Sequence, residues 1–245
     1  MTPPVDKTLI IACGALAREI RMLVDANDFT HVDLACLPAT LHNTPQFIPE
    51  AVRARIEQAR GDYAKIYCAY ADCGTGGMLD RVLAHENVPR LEGAHCYAFF
   101  AGQDAFAELS EPEPGTFYLT DFLVRQFDTL VIEALGLDCH PELRDAYFSH
   151  YKRLIYLSQT ADEDLTGKAK CAAERLGLAF EQVHTGMGEL ANFVESAAHG
   201  EGRAPSVDSL PDHLATAAAV MPGSVWKRRS ARTRGRRRGR ISRRS

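Results

Sequence analysis

The sequence predicts an α/β fold in which parallel strands alternate with crossover helices. Short apolar runs of strand length are separated by longer segments whose apolar residues recur with the helical period. Parallel strands need crossover connections of about ten or more residues, and such crossovers are right-handed. The same strand–helix pattern recurs at a spacing of sixty residues, as between Cys13 and Cys73. We therefore expect two or three repeated strand–helix–strand units.

Composition places the chain among ordinary globular proteins. Its 245 residues are 46% hydrophobic and 24% charged, which excludes collagenous, membrane-spanning and wholly disordered classes. The apolar run that follows Lys7 is too short for the hydrophobic core of a signal peptide. Seven cysteines, scattered singly along the chain, indicate reduced thiols rather than a disulfide framework. We expect a cytoplasmic protein that does not associate with membranes.

Charge separates an acidic body from a basic tail. The last nineteen residues hold eleven of the 28 Lys and Arg residues, which leaves 17 basic against 32 acidic residues in 1–226, a formal charge of −15. An acidic body is a poor surface for nucleic acid. The tail is a disordered charge block, a nucleic-acid arm or the product of an altered reading frame. We expect an α/β domain over 1–198, a linker over 199–226 and a disordered basic tail over 227–245, with nucleic acid disfavoured as a partner.

The first half of the chain contains two similar units. The first apolar run predicts a buried strand, and Leu16, Ile20 and Val24 share one face of the helix that follows it. A second strand ends at Pro38, and Pro49 suits the first turn of the next helix. The second unit repeats this order. We expect strands over residues 9–12, 31–37, 65–70 and 88–92, and helices over residues 15–26, 48–60, 78–84 and 99–109.

The second half continues the alternation. Asp121 opens a helix directly after a short strand, and Pro141 suits the first turn of the next helix. A fainter third copy of the unit begins near Arg153, and there Gln159 and His184 take the places of the cysteines. We expect strands over residues 117–119 and 178–183, and a further strand that begins at residue 153. We expect helices over residues 121–135 and 165–176, and a further helix that begins at about residue 139.

Polar residues cluster where the predicted strands end. In parallel α/β sheets, ligands bind outside the carboxyl ends of the strands. The residues predicted at such ends are Cys13, Asp72, Cys73, His95, Cys96, Asp121 and Gln159. Thiolates suit zinc or iron, and three cysteines are the usual anchorage of an iron–sulfur cluster that keeps an open iron. We therefore expect Cys13, Cys73 and Cys96 as metal ligands, with Asp72 and His95 as proton-transfer groups.

The turn after the third predicted strand is rich in small residues. Gly74, Thr75 and Gly76 let the main chain approach a bound group, and amides at the start of the following helix favour anions. We expect these three residues, together with Asp121 and Gln159, to contact a cofactor. The turn lacks the Lys-Ser/Thr ending of a Walker loop and the spacing of a dinucleotide fingerprint. A nucleotide cofactor is therefore not favoured.

A purely structural role for the cysteines stays open. Cys13 and Cys73 also suit small apolar positions beneath a helix N-terminus, and their spacing is not a C-x-x-C motif. The cysteines expected in the core, because they lie inside apolar runs, are Cys36, Cys68 and Cys171. His42 follows a strand end on a polar loop, where it is a surface residue, a ligand or an acid–base group.

Several short motifs, taken in order, resemble a known family. They are Ala12–Leu16, Leu37–Ala39 with Leu41–Asn43, Asp72–Gly76, Gly93–Tyr97, Gly115–Leu123 and Pro141–Leu143. This set is similar to the uncharacterised bacterial and archaeal family DUF1638, over about residues 8–197. Cys139 stands where a basic residue is expected in relatives, and the basic tail has no counterpart in the family.

The resemblance implies the metabolic system in which the protein acts, and it does not imply a particular reaction. Family members are often associated with corrinoid-dependent methyltransferase systems for methylated amines. That association implies methyl transfer or corrinoid handling, with a corrinoid protein or a methyltransferase as partner. The plan of three units that present cysteines to a common centre is also similar to quinolinate synthase, which holds an iron–sulfur cluster in this way.

Two main hypotheses of function follow from these observations, beside a third in which the protein binds nucleic acid through its basic tail. The first is a metal- or cluster-dependent enzyme that acts on a small polar metabolite, linked to one-carbon or methyl-transfer chemistry. Its cofactor would be zinc or an iron–sulfur cluster, with a corrinoid as a further candidate. The alternative is a non-catalytic accessory protein that binds a metal or a corrinoid and delivers it to a methyltransferase.

Overall fold

The computed structural model describes residues 7–205, which form two three-stranded sheets whose strands all run parallel. Helices connect successive strands within each sheet. The predicted α/β fold is therefore confirmed. The basic tail and most of the expected linker lie outside the described residues, so the boundaries of domain, linker and tail stay predictions.

The first sheet has its earliest strand at the centre. Its strands and the helices that follow them are β1 (Thr8–Cys13), β2 (Val32–Leu37), β3 (Lys65–Ala69), α1 (Ala17–Ala26), α2 (Ile48–Ala59) and α3 (Met78–Glu86). The order across the sheet is β2-β1-β3, and the register aligns Ala12 with Ala69 and Cys13 with Leu37. Cys13 thus leaves the sheet beside the end of the strand that leads to Cys73.

Tight 3-10 turns link β1 and β2 to the helices that follow them. One covers Gly14–Leu16 and continues into α1, and two more cover Ala39–Asn43 and Pro45–Phe47 before α2. Glycine suits position 14 because a Cβ atom there would lie only 3.0 Å from the carbonyl oxygen of Leu37, which is a tight contact. This close approach brings the turn after β1 against the end of β2.

The second sheet follows the chain in order, β4-β5-β6. Its strands and the helices of the second half are β4 (Thr116–Thr120), β5 (Arg153–Ser158), β6 (Ala179–His184), α6 (Asp121–Arg125), α7 (Leu143–Phe148), α8 (Glu163–Leu176) and α9 (Gly188–His199). The predicted third unit corresponds to β5, α8 and β6. The last helix returns to the first sheet, where Leu190, Val194 and Ala197 pack against Ile10 and Phe99.

Two helices lie between the sheets in sequence, where a single helix over 99–109 was predicted. They are α4 (Cys96–Ala101) and α5 (Gln103–Ser110). The break is at Gly102, whose φ of +85° lies outside the helical region. The predicted helix over 121–135 is also interrupted, because α6 ends at Arg125 and a π-helix covers Asp128–Glu133.

The predicted strand over 88–92 is wrong. Only one bridge forms there, between Cys68 and Arg90, and Pro89 has no amide hydrogen to donate to a ladder. The segment nevertheless runs beside β3, because the Cys68 amide donates to the Pro89 carbonyl at 2.8 Å and the Asp72 amide donates to the Gly93 carbonyl at 2.9 Å. The chain is thus carried to the carboxyl end of β3, where α4 begins.

The prediction that three cysteines belong to the core holds for one of them. Cys68 is buried in β3, whereas Cys36 and Cys171 are exposed. Cys36 lies on the edge strand β2, and Cys171 lies on the face of α8 opposite the buried Ala169 and Ala173. Helical apolar spacing tolerates a cysteine on either face, so the run around Cys171 did not determine its burial.

No helix within residues 7–205 has the length and apolar character needed to span a bilayer. Each sheet instead carries apolar residues on both faces. The larger clusters centre on Ile10 and Tyr67, on Leu9 and Ile11, and on Leu119.

Candidate functional site: a cysteine-lined cleft

Three of the predicted site residues meet at one cleft. Cys13 is the last residue of β1, Cys73 follows β3, and Cys96 is the first residue of α4. All three side chains are partly buried and line a cavity of about 80 Å³. The other residues that line it are Ala15, Leu16, Ala39, His42, Asn43, Tyr70, Ala71, Tyr97, Phe100, Phe117, Thr120, Phe122, Leu123, Leu130 and Val131. The second sheet and its helices therefore form one wall of the cleft.

The three thiols influence one another electrostatically. Burial raises the pKa of Cys96 to about 12, and a negative charge on Cys13 would raise it as well. Burial also raises the pKa of Cys73 well above its ordinary value, and Cys96 and Cys13 add to the shift. The pKa of Cys13 is raised by burial but lowered by hydrogen bonds from the Ala15 amide and the Tyr70 hydroxyl. The thiols are therefore neutral near pH 7, and Cys13 is the one best supplied with donors.

The thiols surround the cavity without forming a ready-made metal centre. Within residues 7–205, no group of three His, Cys, Asp or Glu side chains is arranged to hold a metal ion. Thiolate ligands bind zinc or iron at about 2.3 Å, so a shared ion would need the three sulfurs to move towards one another. The assignment of Cys13, Cys73 and Cys96 as ligands stays a prediction.

The turn after β3 folds around the side chain of Asp72. The Thr75 hydroxyl donates to Oδ1 at 2.6 Å, the Gly77 amide donates to Oδ1 at 2.8 Å, and the Gly76 amide donates to Oδ2 at 3.1 Å. Asp72 is only 4% exposed. The carboxylate thus occupies the place that a bound anion was expected to take, and an external phosphate or carboxylate would have to compete with it.

The backbone of this turn is left-handed at four positions, two on each side of Thr75. Cys73 has a φ of +50°, and Gly74, Gly76 and Gly77 have φ values of +85°, +62° and +77°. The glycines adopt this region without steric cost, whereas a cysteine does not. The turn therefore keeps the Cys73 side chain at the cleft, although residue 73 adopts a backbone conformation that is unfavourable for cysteine.

Two histidines lie beside the thiols. His95 precedes α4, and burial lowers its pKa, with the Asp72 carboxylate acting in the opposite direction. His42 lies on the 3-10 turn before α2, where it keeps solvent exposure and also lines the cleft. The surrounding protein lowers the pKa of His42, and so does His95. Both rings are therefore mainly neutral at pH 7, so each can accept a proton.

Asp121 and Gln159 end strands of the second sheet, as predicted, but they bind each other rather than lining the cleft. The fully buried Asp121 carboxylate accepts from the Tyr156 hydroxyl at 2.6 Å, from the Gln159 amide at 3.0 Å and from the Thr160 hydroxyl at 2.5 Å. The Gln159 side-chain oxygen accepts from the Asp121 amide at 2.7 Å. These contacts join β4 to β5, so both residues have structural partners. Their role as cofactor contacts stays a prediction.

Sequence analysis assigned no role to Tyr70, although it is the residue at which β3 leads into the cysteine turn. Tyr70 is 2% exposed and lines the cleft, and its buried hydroxyl lies beside the Cys13 thiol, whose pKa it lowers. Its position next to Ala71 and Asp72 at a strand end was the available signal. The wall formed by Phe117 and Thr120 had no such signal, because it comes from the other sheet.

The fold and the site define an α/β protein with a cysteine-lined cleft at the carboxyl end of a parallel sheet. Residues 36–194 match the model of the family described as "Protein of unknown function (DUF1638)", and the chain belongs to this family. The matched segment contains Cys73 and Cys96 but not Cys13. No curated protein and no solved structure matches the chain. Family membership agrees with the resemblance noted in the sequence and assigns no reaction.

Proposed function

We propose that the protein is a metal- or cluster-dependent enzyme that acts on a small metabolite, with Cys13, Cys73 and Cys96 as the ligands. One observation supports this proposal above the others. Three thiols from separate segments line one cavity and lie close enough for each to affect the acidity of another. Structural cysteines have no need to gather in this way, whereas a thiolate-bound centre requires it.

The donor set fits zinc or an iron–sulfur cluster. Thiolates are soft ligands that both centres accept, and three of them leave one coordination position open for a substrate. When bound, such a centre would polarise a substrate atom as a Lewis acid. Metal binding also requires the thiols to ionise, and a metal cation supplies the charge that favours ionisation.

The remaining residues of the site have separate roles in this proposal. Asp72 is a positioning residue, because its carboxylate fixes the turn that carries Cys73. His42 and His95 are the proton acceptors in this proposal, since both rings are mainly neutral. His42 lines the cleft, and His95 comes directly before Cys96 and lies near enough to lower the pKa of His42. Whether Asp72 also moves a proton stays a prediction.

A corrinoid does not suit the cleft itself. A cavity of about 80 Å³ accommodates an ion or a small cluster with a few atoms of substrate, whereas a corrinoid ring is far larger. Within the one-carbon and methyl-transfer setting, we therefore place a corrinoid on a partner protein. The same argument weakens the alternative of a corrinoid-carrying accessory protein, and leaves an accessory protein that carries a metal.

Metal and sulfide analysis of protein purified without oxygen tests the proposal. We expect a stoichiometric metal in the wild type and at least a tenfold loss in each of Cys13→Ser, Cys73→Ser and Cys96→Ser. Cys171→Ser is the matched control, because its thiol is exposed on α8 and far in sequence from the site. Wild-type protein without metal, or equal metal in all four variants, would overturn the ligand assignment.

Release of the metal to a chelator separates an enzyme from a metal carrier. A catalytic centre retains its metal through many turnovers, so we expect a half-life of hours at pH 7 in excess chelator. A carrier must give up its cargo, and release within minutes would favour the accessory role. His95→Ala should leave the release rate unchanged, because the proposal gives His95 a proton and not the metal.

A further inference from the structure

Arg90 joins three segments of the chain next to the cysteine cleft. Its side chain is 7% exposed, and its Nε and Nη2 atoms donate to the two oxygens of the Asp80 carboxylate on α3, the second bond at 2.9 Å. The Nη1 atom donates to the Leu91 carbonyl at 2.8 Å and, at 3.4 Å, to the Tyr70 carbonyl directly after β3. One buried cation therefore ties the end of β3 to α3 and to the segment that leads to α4.

The segments that Arg90 joins carry two of the three cleft thiols. Cys73 lies in the turn between β3 and α3, and Cys96 opens α4. The Cys73 amide donates to the Ala94 carbonyl at 3.0 Å, so the turn is bonded to a residue only two positions before Cys96. The spacing of the two thiols therefore depends on how segment 90–95 is aligned with the end of β3.

The main chain of this segment fixes its alignment less firmly than a regular strand would. It forms a single bridge with β3, between Cys68 and Arg90, because Pro89 has no amide hydrogen to donate. The Arg90 side chain supplies a further fixed point through its bonds to Asp80 and to two main-chain carbonyls. A planar guanidinium offers donors on two edges at once, whereas a lysine ammonium is a single point of charge.

We propose that Arg90 is a positioning residue of the cleft, which sets the distance between the Cys73 and Cys96 thiols through its bonds to Asp80 and to the main chain beside β3. This inference rests on the proposed function, because it concerns two of the metal ligands. Arg90 does not line the cavity, so it acts through the segments that it joins and touches no ligand itself. Residues outside the coordination shell that orient metal ligands contribute about 10–100-fold to metal affinity.

Arg90→Lys keeps the positive charge and removes the two-edged geometry. Cobalt(II) is the probe, because it accepts the same thiolate ligands as zinc and its visible absorption depends on the coordination geometry. It is titrated into the full chain after dialysis against a chelator has removed any native metal. We expect Arg90→Lys to bind cobalt at least about tenfold more weakly than the wild type, with an altered visible spectrum at saturation.

Two controls separate positioning from a general loss of stability. Leu176→Ala removes a buried side chain from α8 in the second sheet, which lowers stability by leaving a cavity away from the cleft. Arg60→Lys alters the ion pair with Glu86 at the other end of α3. Both variants should bind cobalt as the wild type does and with the same spectrum. If Arg90 has only a structural role, Arg90→Lys will also lower stability without changing the cobalt spectrum.

Phenylarsine oxide tests the spacing of the thiols without relying on the native metal. Its arsenic(III) bonds to two neighbouring sulfurs, and the two thiol protons leave with the oxide oxygen as water, with no change of oxidation state. In a Cys13→Ser background, we expect an adduct that joins Cys73 to Cys96, identified by mass spectrometry of the digested protein. Adding Arg90→Lys should weaken binding of the reagent about tenfold.

The outcomes separate this inference from the proposed function. Equal cobalt affinity and spectrum in Arg90→Lys, or equal binding of the arsenic reagent, would overturn the positioning role and leave the metal centre as proposed. The absence of an adduct that joins Cys73 to Cys96 would also overturn it. Protein purified without native metal, in which Arg90→Lys still weakens that adduct, would support the positioning role and contradict the metal centre. If Arg90→Lys does not fold, Asp80→Asn removes the charge of the same acceptor, and the same two measurements decide.

Discussion

Replacing Asp72 with alanine removes the acceptor shared by three donors in the turn that carries Cys73. The bonds from the Thr75 hydroxyl and the Gly77 amide, at 2.6 and 2.8 Å, are buried, whereas Gly76 is exposed and water can replace its bond. A hydrogen bond to a charged group contributes about 1.5–3 kcal/mol when its partner would otherwise be buried and unpaired. The two buried bonds therefore predict a loss of about 3–6 kcal/mol in the free energy of unfolding.

Urea denaturation followed by circular dichroism measures this loss. Glu57→Ala is the control, because Glu57 is an exposed acidic residue on α2, and its replacement should change the free energy by less than about 0.5 kcal/mol. Thr75→Ala removes one of the two buried donors. In a protein that already carries Thr75→Ala, replacing Asp72 with alanine should therefore lower the free energy of unfolding by less than it does in the wild type. A loss below about 1 kcal/mol for Asp72→Ala would refute the argument that this carboxylate holds the turn together.

Two further predictions concern stability. Arg90→Ala leaves the buried Asp80 carboxylate without its cation, so we expect urea denaturation to show a loss of about 3–5 kcal/mol in the free energy of unfolding. Arg60→Ala is the control, because the Arg60 side chain is 54% exposed in its ion pair with Glu86. Its loss should be less than about 1 kcal/mol. The metal-free protein should lose stability above pH 9.0, because the unfolded Cys96 thiol ionises there while the folded one, with a pKa of about 12, keeps its proton. The Cys96 thiol should lower the free energy of unfolding by about 1.4 kcal/mol for each pH unit in this range. If the free energy of unfolding of Cys96→Ser falls as steeply between about pH 9 and 11 as that of the wild type, the raised pKa of Cys96 is contradicted.

The strands and their carboxyl ends were largely predictable from the sequence. Apolar runs of strand length are typical of buried strands when amphipathic helices separate them. Accordingly, β1, β2 and β3 were each predicted within a residue or two of both ends, and β5 begins at the predicted residue. The meeting of Cys13 and Cys73 followed from the parallel order, since neighbouring parallel strands bring their ends to one edge. These features depend on local pattern and on general rules of topology.

Features that depend on competition between partners could not be predicted. The residue types of the turn suggested an anion site, but only the structure shows that Asp72 uses its donors internally. The segment around Arg90 had strand composition, yet its proline and its buried ion pair with Asp80 hold it as an irregular chain beside β3. A single sequence names donors and acceptors without showing which of them pair.

The far wall of the cleft was unpredictable for a related reason. Phe117 and Leu123 lie in the second sheet and its first helix, and no repeat or spacing connects them with the cysteines. How two sheets face each other depends on the packing of many side chains at once. The uncharged lining of the cleft therefore became visible only in the folded chain.

The left-handed backbone at Cys73 bears on how the chain can evolve. An L-residue in this region costs about 1–2 kcal/mol relative to glycine. Within residues 7–205, the other non-glycine residues there are Asp28 and Asn87, whose types tolerate it. Stability alone would favour glycine at position 73, and one nucleotide change converts a cysteine codon into a glycine codon. A change from cysteine to glycine at this position is therefore easily reached by mutation and would stabilise the turn. Any relative that keeps the Cys73 thiol keeps it at a cost in stability.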